Sequence, residues 1–221
     1  MIECKNITKI FNQNRHNEQI ALKNINLKIK KNELTVLRGA SGSGKSTLLS
    51  LIAALSRPTK GEIIVDGKRV SKMLENSTAM FRRENIGFIF QKYNLISTLN
   101  SYENIILPTI PSNPNEKELT RHVDTLLEMF SITNKKESLV KNLSGGEQQR
   151  VAIARSLINN PKIIIADEPT ANLDKKLSLE FIKTMQKLKQ QNRTIIIATH
   201  DPLFFNLNFC DNIIEMKDGH I

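Results

Sequence analysis

The segment GASGSGKST at positions 39–47 constrains this chain more than any other. It sets Gly39, four residues, then Gly44, Lys45 and Ser46 behind the apolar run LTVLR (34–38) and ahead of a buried helical pattern over 45–55. That is the phosphate-loop pattern, in which a strand runs into a glycine loop and the loop opens a helix. The small residues Ala40, Ser41, Gly42 and Ser43 let backbone N–H groups turn inward toward an anion. The helix that follows aims the positive end of its dipole at the same point. On this reading Lys45 reaches the β- and γ-phosphates of a nucleotide, the Ser46 hydroxyl ligates Mg²⁺, and Thr47 lies near the α-phosphate.

The rest of the chain suits such a loop, because short apolar runs alternate with helical patterns, as in an α/β chain around a mostly parallel sheet. CKNITKI (4–10) and LKNINLKI (22–29) alternate apolar and polar residues like half-buried strands, with an exposed loop at 12–19 between them. EIIVDGKRV (62–70) reads as a hairpin, since Asp66-Gly67 tolerates the positive φ angles of a tight turn. IGFIF (86–90) is a further strand. The prolines of PTIPSNPN (108–115) break any regular element there. Leu119, Val123, Leu126, Leu127 and Phe130 then share one helical face, a core-packing pattern. Positions 92–160 read as a helical lobe inserted in an α/β core (1–91 and 161–221), whose strands resume at 163–166, 194–199 and 212–216.

Composition bounds the setting. The 221 residues suffice for one large domain, and 39% hydrophobic residues can build its core. The two cysteines, Cys4 and Cys210, have neither zinc spacing nor a dense disulfide pattern, so packing thiols in a reducing cytosol are expected. The opening MIECKN lacks the profile of a secretory signal. The runs LLSLIAAL (48–55) and TIIIATH (194–200) are too short to span a bilayer. Work at a membrane would need another chain to supply the spans. The net charge of +10 raises a nucleic-acid reading. No basic run is interleaved with stacking aromatics, however, so a Lys-rich solvated surface and no nucleic-acid partner are expected.

Two further motifs carry chemistry. KIIIADEP (162–169) is a buried strand ending in two acids. Asp167 would hold the Mg²⁺ shell, and Glu168 would orient or deprotonate an attacking water; phosphoryl transfer needs mainly such positioning and charge neutralisation. LSGGEQQR (143–150) opens a short loop and then a helix, giving a second anion-binding N-terminus. Ser144 also suits an ordinary helix cap.

In this order and spacing, the three motifs resemble the ATP-binding cassette (ABC) family of ATPases over about 11–200. The resemblance implies a phosphate-loop NTPase (RecA-like) core with an antiparallel β subdomain and an inserted α-helical subdomain. It implies ATP and Mg²⁺ as ligands, and two copies head to tail around two ATP molecules. Each site would then combine Lys45, Ser46, Gln91, Asp167, Glu168 and His200 of one chain with Ser144, Gly145, Gly146, Glu147 and Asp174 of the other. Gln91 would sense Mg²⁺ and the attacking water, His200 would contact the γ-phosphate, and Phe11 would stack on adenine. ANLD (171–174) occupies the dimer-crossing loop, with Asn172 where the family more often has another residue. The stretch 82–108 is similar to the lipoprotein-release and macrolide-export type, whose ATPases drive a separate membrane permease from the cytoplasmic face. The permease contact is expected around 93–101. A soluble ABC ATPase acting on ribosomes or nucleic acid is the alternative. The chain stops at KDGHI, so no C-terminal regulatory domain is expected.

Overall fold

The computed structural model describes residues 1–171 and 173–221. Asn172 lies outside the described residues.

Two sheets form the frame. An antiparallel sheet runs in the order β2 (Gln19–Ile29), β1 (Ile2–Phe11), β4 (Lys60–Val65), β5 (Lys68–Arg69). The β4–β5 turn is the expected one, with Asp66 at φ 48° and Gly67 at φ 80°. A parallel sheet runs β6 (Ile86–Ile89), β7 (Ile163–Asp167), β8 (Thr194–Thr199), β3 (Leu34–Arg38), β9 (Asn212–Glu215). Its central strands are mostly apolar and buried along nearly their whole length because both faces are covered. Ile164, Ala166, Ile195 and Ile197 join a cluster with the helices α3 (Ser101–Ile106), α4 (Glu116–Met129), α5 (Gly145–Leu157) and α6 (Lys175–Gln190). Ile163, Ile165, Ile196 and Ala198 point the other way. They pack with α1 (Lys45–Ile52) and the antiparallel sheet. The period-2 alternation of one strand thus serves two cores.

Helix α1 and the proline stretch differ from the sequence reading. Helix α1 stops at Ile52 rather than Leu55, because Ala54 takes a left-handed φ of 54° and its carbonyl accepts from Arg82 Nη1 at 2.7 Å. The proline stretch is regular after all: residues Leu107–Ser112 form a 3₁₀ turn, with Pro108 at its start, where a missing N–H costs nothing. A helix over Glu75–Asn85, α2, precedes β6. Among the described residues, no helix is long and apolar enough to cross a membrane.

Candidate active site

Parallel pairing brings four strand ends to one edge. Arg38 lies opposite Thr199, Asp167 opposite Ala198, and Ile89 opposite Ala166. The residues just beyond them are the glycine loop after β3, Glu168 after β7, His200 after β8 and Gln91 after β6. Ligand sites in open α/β sheets sit at such carboxyl ends. A cleft of about 590 Å³ opens there, lined by the loop residues Ser41–Thr47 together with Phe11, Gln91, Glu168 and His200.

The glycine loop is built for close approach. A Cβ on Gly39 would lie 2.2 Å from the Met216 carbonyl oxygen, and Gly44 sits at φ 102° as the N-cap of α1, which supplies no side-chain cap bond. Lys45 is 4% exposed although charged. Its Nζ donates to Gly39 O at 2.7 Å and Ala40 O at 3.1 Å and lies 3.4 Å from Glu168 Oε1. A buried ammonium beside an uncapped helix N-terminus fits an anion of phosphate size.

The acids sit against this loop. Ser46 Oγ donates to Asp167 Oδ1 at 2.9 Å, joining the two groups expected to hold a cation. Burial pushes the Asp167 carboxyl above its ordinary range, and the neighbouring Glu168 charge pushes the same way, while the Ser46 hydroxyl and Lys45 pull it down. A dication beside it would favour the ionised form. Glu168 is 9% exposed and takes a left-handed φ of 43°. Its Oε2 lies 3.0 Å from His200 Nδ1 and accepts from the His200 backbone N–H at 3.3 Å. His200 therefore meets the acid as well as the cleft. Phe11 ends β1 at the cleft, the residue 41% exposed, and Lys9 Nζ lies 5.1 Å from the ring centre.

The remaining predicted residues lie on α5 and α6, and among the described residues none of them lines the cleft. Ser144 caps α5 in a capping box: its Oγ accepts from Glu147 N, and Glu147 Oε2 accepts from Ser144 N at 2.8 Å. The Ser144 backbone N–H is the main reason the Glu147 carboxyl titrates below its ordinary range, with Lys135 adding to it. Gly145 leaves open space around its Cα, whereas a Cβ on Gly146 would lie 2.9 Å from Leu177 of α6. Asp174 caps α6, its Oδ1 accepting from Leu177 N at 2.8 Å.

Sequence reasoning missed one wall of the cleft: Gln19, Ala21 and Lys23 of β2, and Asp218 and Gly219. Gly219 N donates to Ser43 O at 3.1 Å and Gly219 O accepts from Lys23 N at 2.8 Å, so the late turn clasps the glycine loop. The Asp-Gly pair was the available signal.

A family model described as ABC transporter matches residues 22–171. An uncharacterized ABC transporter ATP-binding protein of Methanocaldococcus jannaschii is 45% identical over the whole of this chain and 97% of its own length. The macrolide export ATP-binding/permease protein MacB of Campylobacter jejuni is 42% identical over the whole chain, which spans only 33% of that relative. Among solved structures, an ATP-binding cassette described as a dimer in a post-hydrolysis state bound to ADP and Pi superposes with a TM-score of 0.92. It is 38% identical and covers 100% of this chain and 96% of its own. The chain belongs to the ABC transporter family and has the fold of its ATPase cassettes.

Proposed function

We propose that this chain is the ATP-hydrolysing subunit of an export system of the macrolide-export or lipoprotein-release type. Two copies close on ATP and drive a separate membrane permease from the cytoplasmic face. The observation that carries the reading is the contact set at the cleft: Lys45 against Glu168 and Ser46 against Asp167, joining residues more than a hundred positions apart. The MacB relative, whose name joins ATP-binding and permease in one longer chain, supports a permease partner. The dimeric, ADP- and Pi-bound neighbour supports pairing and hydrolysis. We treat residues 92–160 as the helical subdomain through which the permease is reached.

Each group then has a task. Lys45 turns from Gly39 O, Ala40 O and Glu168 to the β- and γ-phosphates. The small loop residues Gly39 to Gly44 donate backbone N–H groups, Thr47 borders the α-phosphate, and Phe11 stacks on the base. Ser46 and Asp167, with Gln91, would hold Mg²⁺, which when bound would supply charge neutralisation at the phosphates. Glu168 orients the attacking water. With Oε2 held by His200, Oε1, released by Lys45, takes the water's proton. Ser144, Gly145, Gly146, Glu147 and Asp174 complete the site of the other copy, the α5 N-terminus facing its γ-phosphate.

Two variants test this. Glu168→Gln should keep ATP binding and lose about a hundredfold or more in turnover. Lys45→Ala should lose tight ATP binding, as measured by calorimetry. Parental turnover by the Gln variant would remove Glu168 from its role. Purification from membranes should bring down a permease, and recovery with ribosomes or RNA instead would overturn the transport assignment.

A further inference from the structure

Helix α5 bonds to the backbone just beyond two of the cleft residues. In its first half, the buried Gln149 donates from Nε2 to Pro169 O at 2.7 Å, one residue past Glu168. In its last turn, Arg155 donates from Nη1 to Asn94 O at 2.7 Å and from Nη2 to Tyr93 O, just past Gln91. Both turns hold a residue in the left-handed region, which long and aromatic side chains rarely adopt: φ is 43° at Glu168 and 58° at Tyr93. Such angles persist where the surroundings fix them. The guanidinium suits the second turn, since its planar fork can reach two successive carbonyls at once. Asn104 of α3 then pins Ile96, two residues past Asn94, its Oδ1 accepting from Ile96 N at 2.8 Å and its Nδ2 donating to Ile96 O at 3.0 Å.

We propose that α5 is a two-ended clamp, in which Gln149 and Arg155 are positioning residues that hold Glu168 and Gln91 in one frame. The inference rests on the roles given above to those two residues. The capped N-terminus of the same helix carries Ser144, which faces the other copy's nucleotide. A rigid helix bonded at both ends passes any displacement of that terminus to its own chain's Glu168 and Gln91. The clamp therefore links the two sites of the pair.

Steady-state ATP hydrolysis by Arg155→Gln, Arg155→Lys and Gln149→Leu, read with amide hydrogen exchange, tests the clamp. Arg155→Gln and Gln149→Leu should each lower kcat by about tenfold to a hundredfold, the effect of a small misplacement at a reacting centre. KM for ATP should change by less than about threefold, because the glycine loop is untouched. Arg155→Lys should recover part of kcat, since an ammonium still reaches one carbonyl. Exchange should accelerate at residues 93–98 in Arg155→Gln and at 170 and 171 in Gln149→Leu, with β7 and β8 unchanged. Parental kcat in either variant, or loss of protection spread over the whole sheet, overturns the clamp. Should Arg155→Gln fail to fold, Arg155→Lys decides, and parental kcat with parental exchange at 93–98 is then the overturning result. Glu168→Gln and Gln91→Ala run alongside. If these also turn over at the parental rate, the site assignment has failed; if they are slow while the clamp variants are fast, only the clamp has.

Discussion

Asparagine replaces glycine at many of this chain's left-handed positions. Asn32, Asn160 and Asn192 all have φ between 51° and 62°. Asn192 follows the end of α6, where a left-handed residue satisfies the helix's last carbonyls, and its N–H bonds to Lys189 O at 2.9 Å. Asn tolerates that conformation because its short polar side chain bonds locally, and alanine does not. Asn192→Ala should therefore lower stability by about 1 kcal/mol, read as a shift of the urea midpoint without change of slope. Single residues were legible where chemistry depends on spacing along the chain. Gly39, Gly44, Lys45 and Ser46 could be read from nine letters. The Lys45–Glu168 approach and the His200 Nδ1 contact to Glu168 could not, because they depend on strand order, which periodicity does not encode.

At the scale of elements, the buried strands were the most legible, with β3 and β8 falling on the expected residues. Short, mostly apolar runs of five or six residues rich in β-branched side chains are too short for a buried helix and read as buried strands. Helix α2 carries little signal, since only Thr78 and Phe81 of its eleven residues are buried. Helix α6 was legible but unread: Phe181, Ile182, Met185 and Leu188 repeat at three and four residues. Its last turn is fastened to the sheet through Asp211, whose Oδ2 accepts from Lys189 Nζ at 2.6 Å and from Leu34 N at 2.7 Å. Burial raises the Asp211 carboxyl, but the Lys189 ammonium and the Leu34 amide more than offset this, leaving it below its ordinary range. A depressed carboxylate stabilises the fold above its unfolded pKa, and that contribution is lost as pH falls through the folded pKa. Asp211→Asn should thus cost about 1 kcal/mol near neutral pH, with the gap closing as pH drops below the carboxylate range. Thermal unfolding of both proteins across pH measures this, and a gap that stays constant would place the effect elsewhere.

On the scale of the whole molecule, the proposed pairing gives each copy half of each composite site. Lys45, Ser46 and Glu168 line one cleft, with Asp167 bonded to Ser46 beside it, while Ser144, Gly145 and Gly146 open a different helix, none of whose described residues lines it. Both halves are present in every copy, so under the proposed pairing two copies turned head to tail would supply two complete sites. Helix α5 spans the distance between them, its cap facing outward and its Gln149 and Arg155 bonded to the turns that carry the chain's own cleft residues. The most direct measurement is the solution mass of Glu168→Gln by light scattering, with and without ATP and Mg²⁺. The account expects a monomer that doubles in mass when ATP is added and reverts with ADP. A mass that stays monomeric while calorimetry shows the nucleotide bound would contradict it.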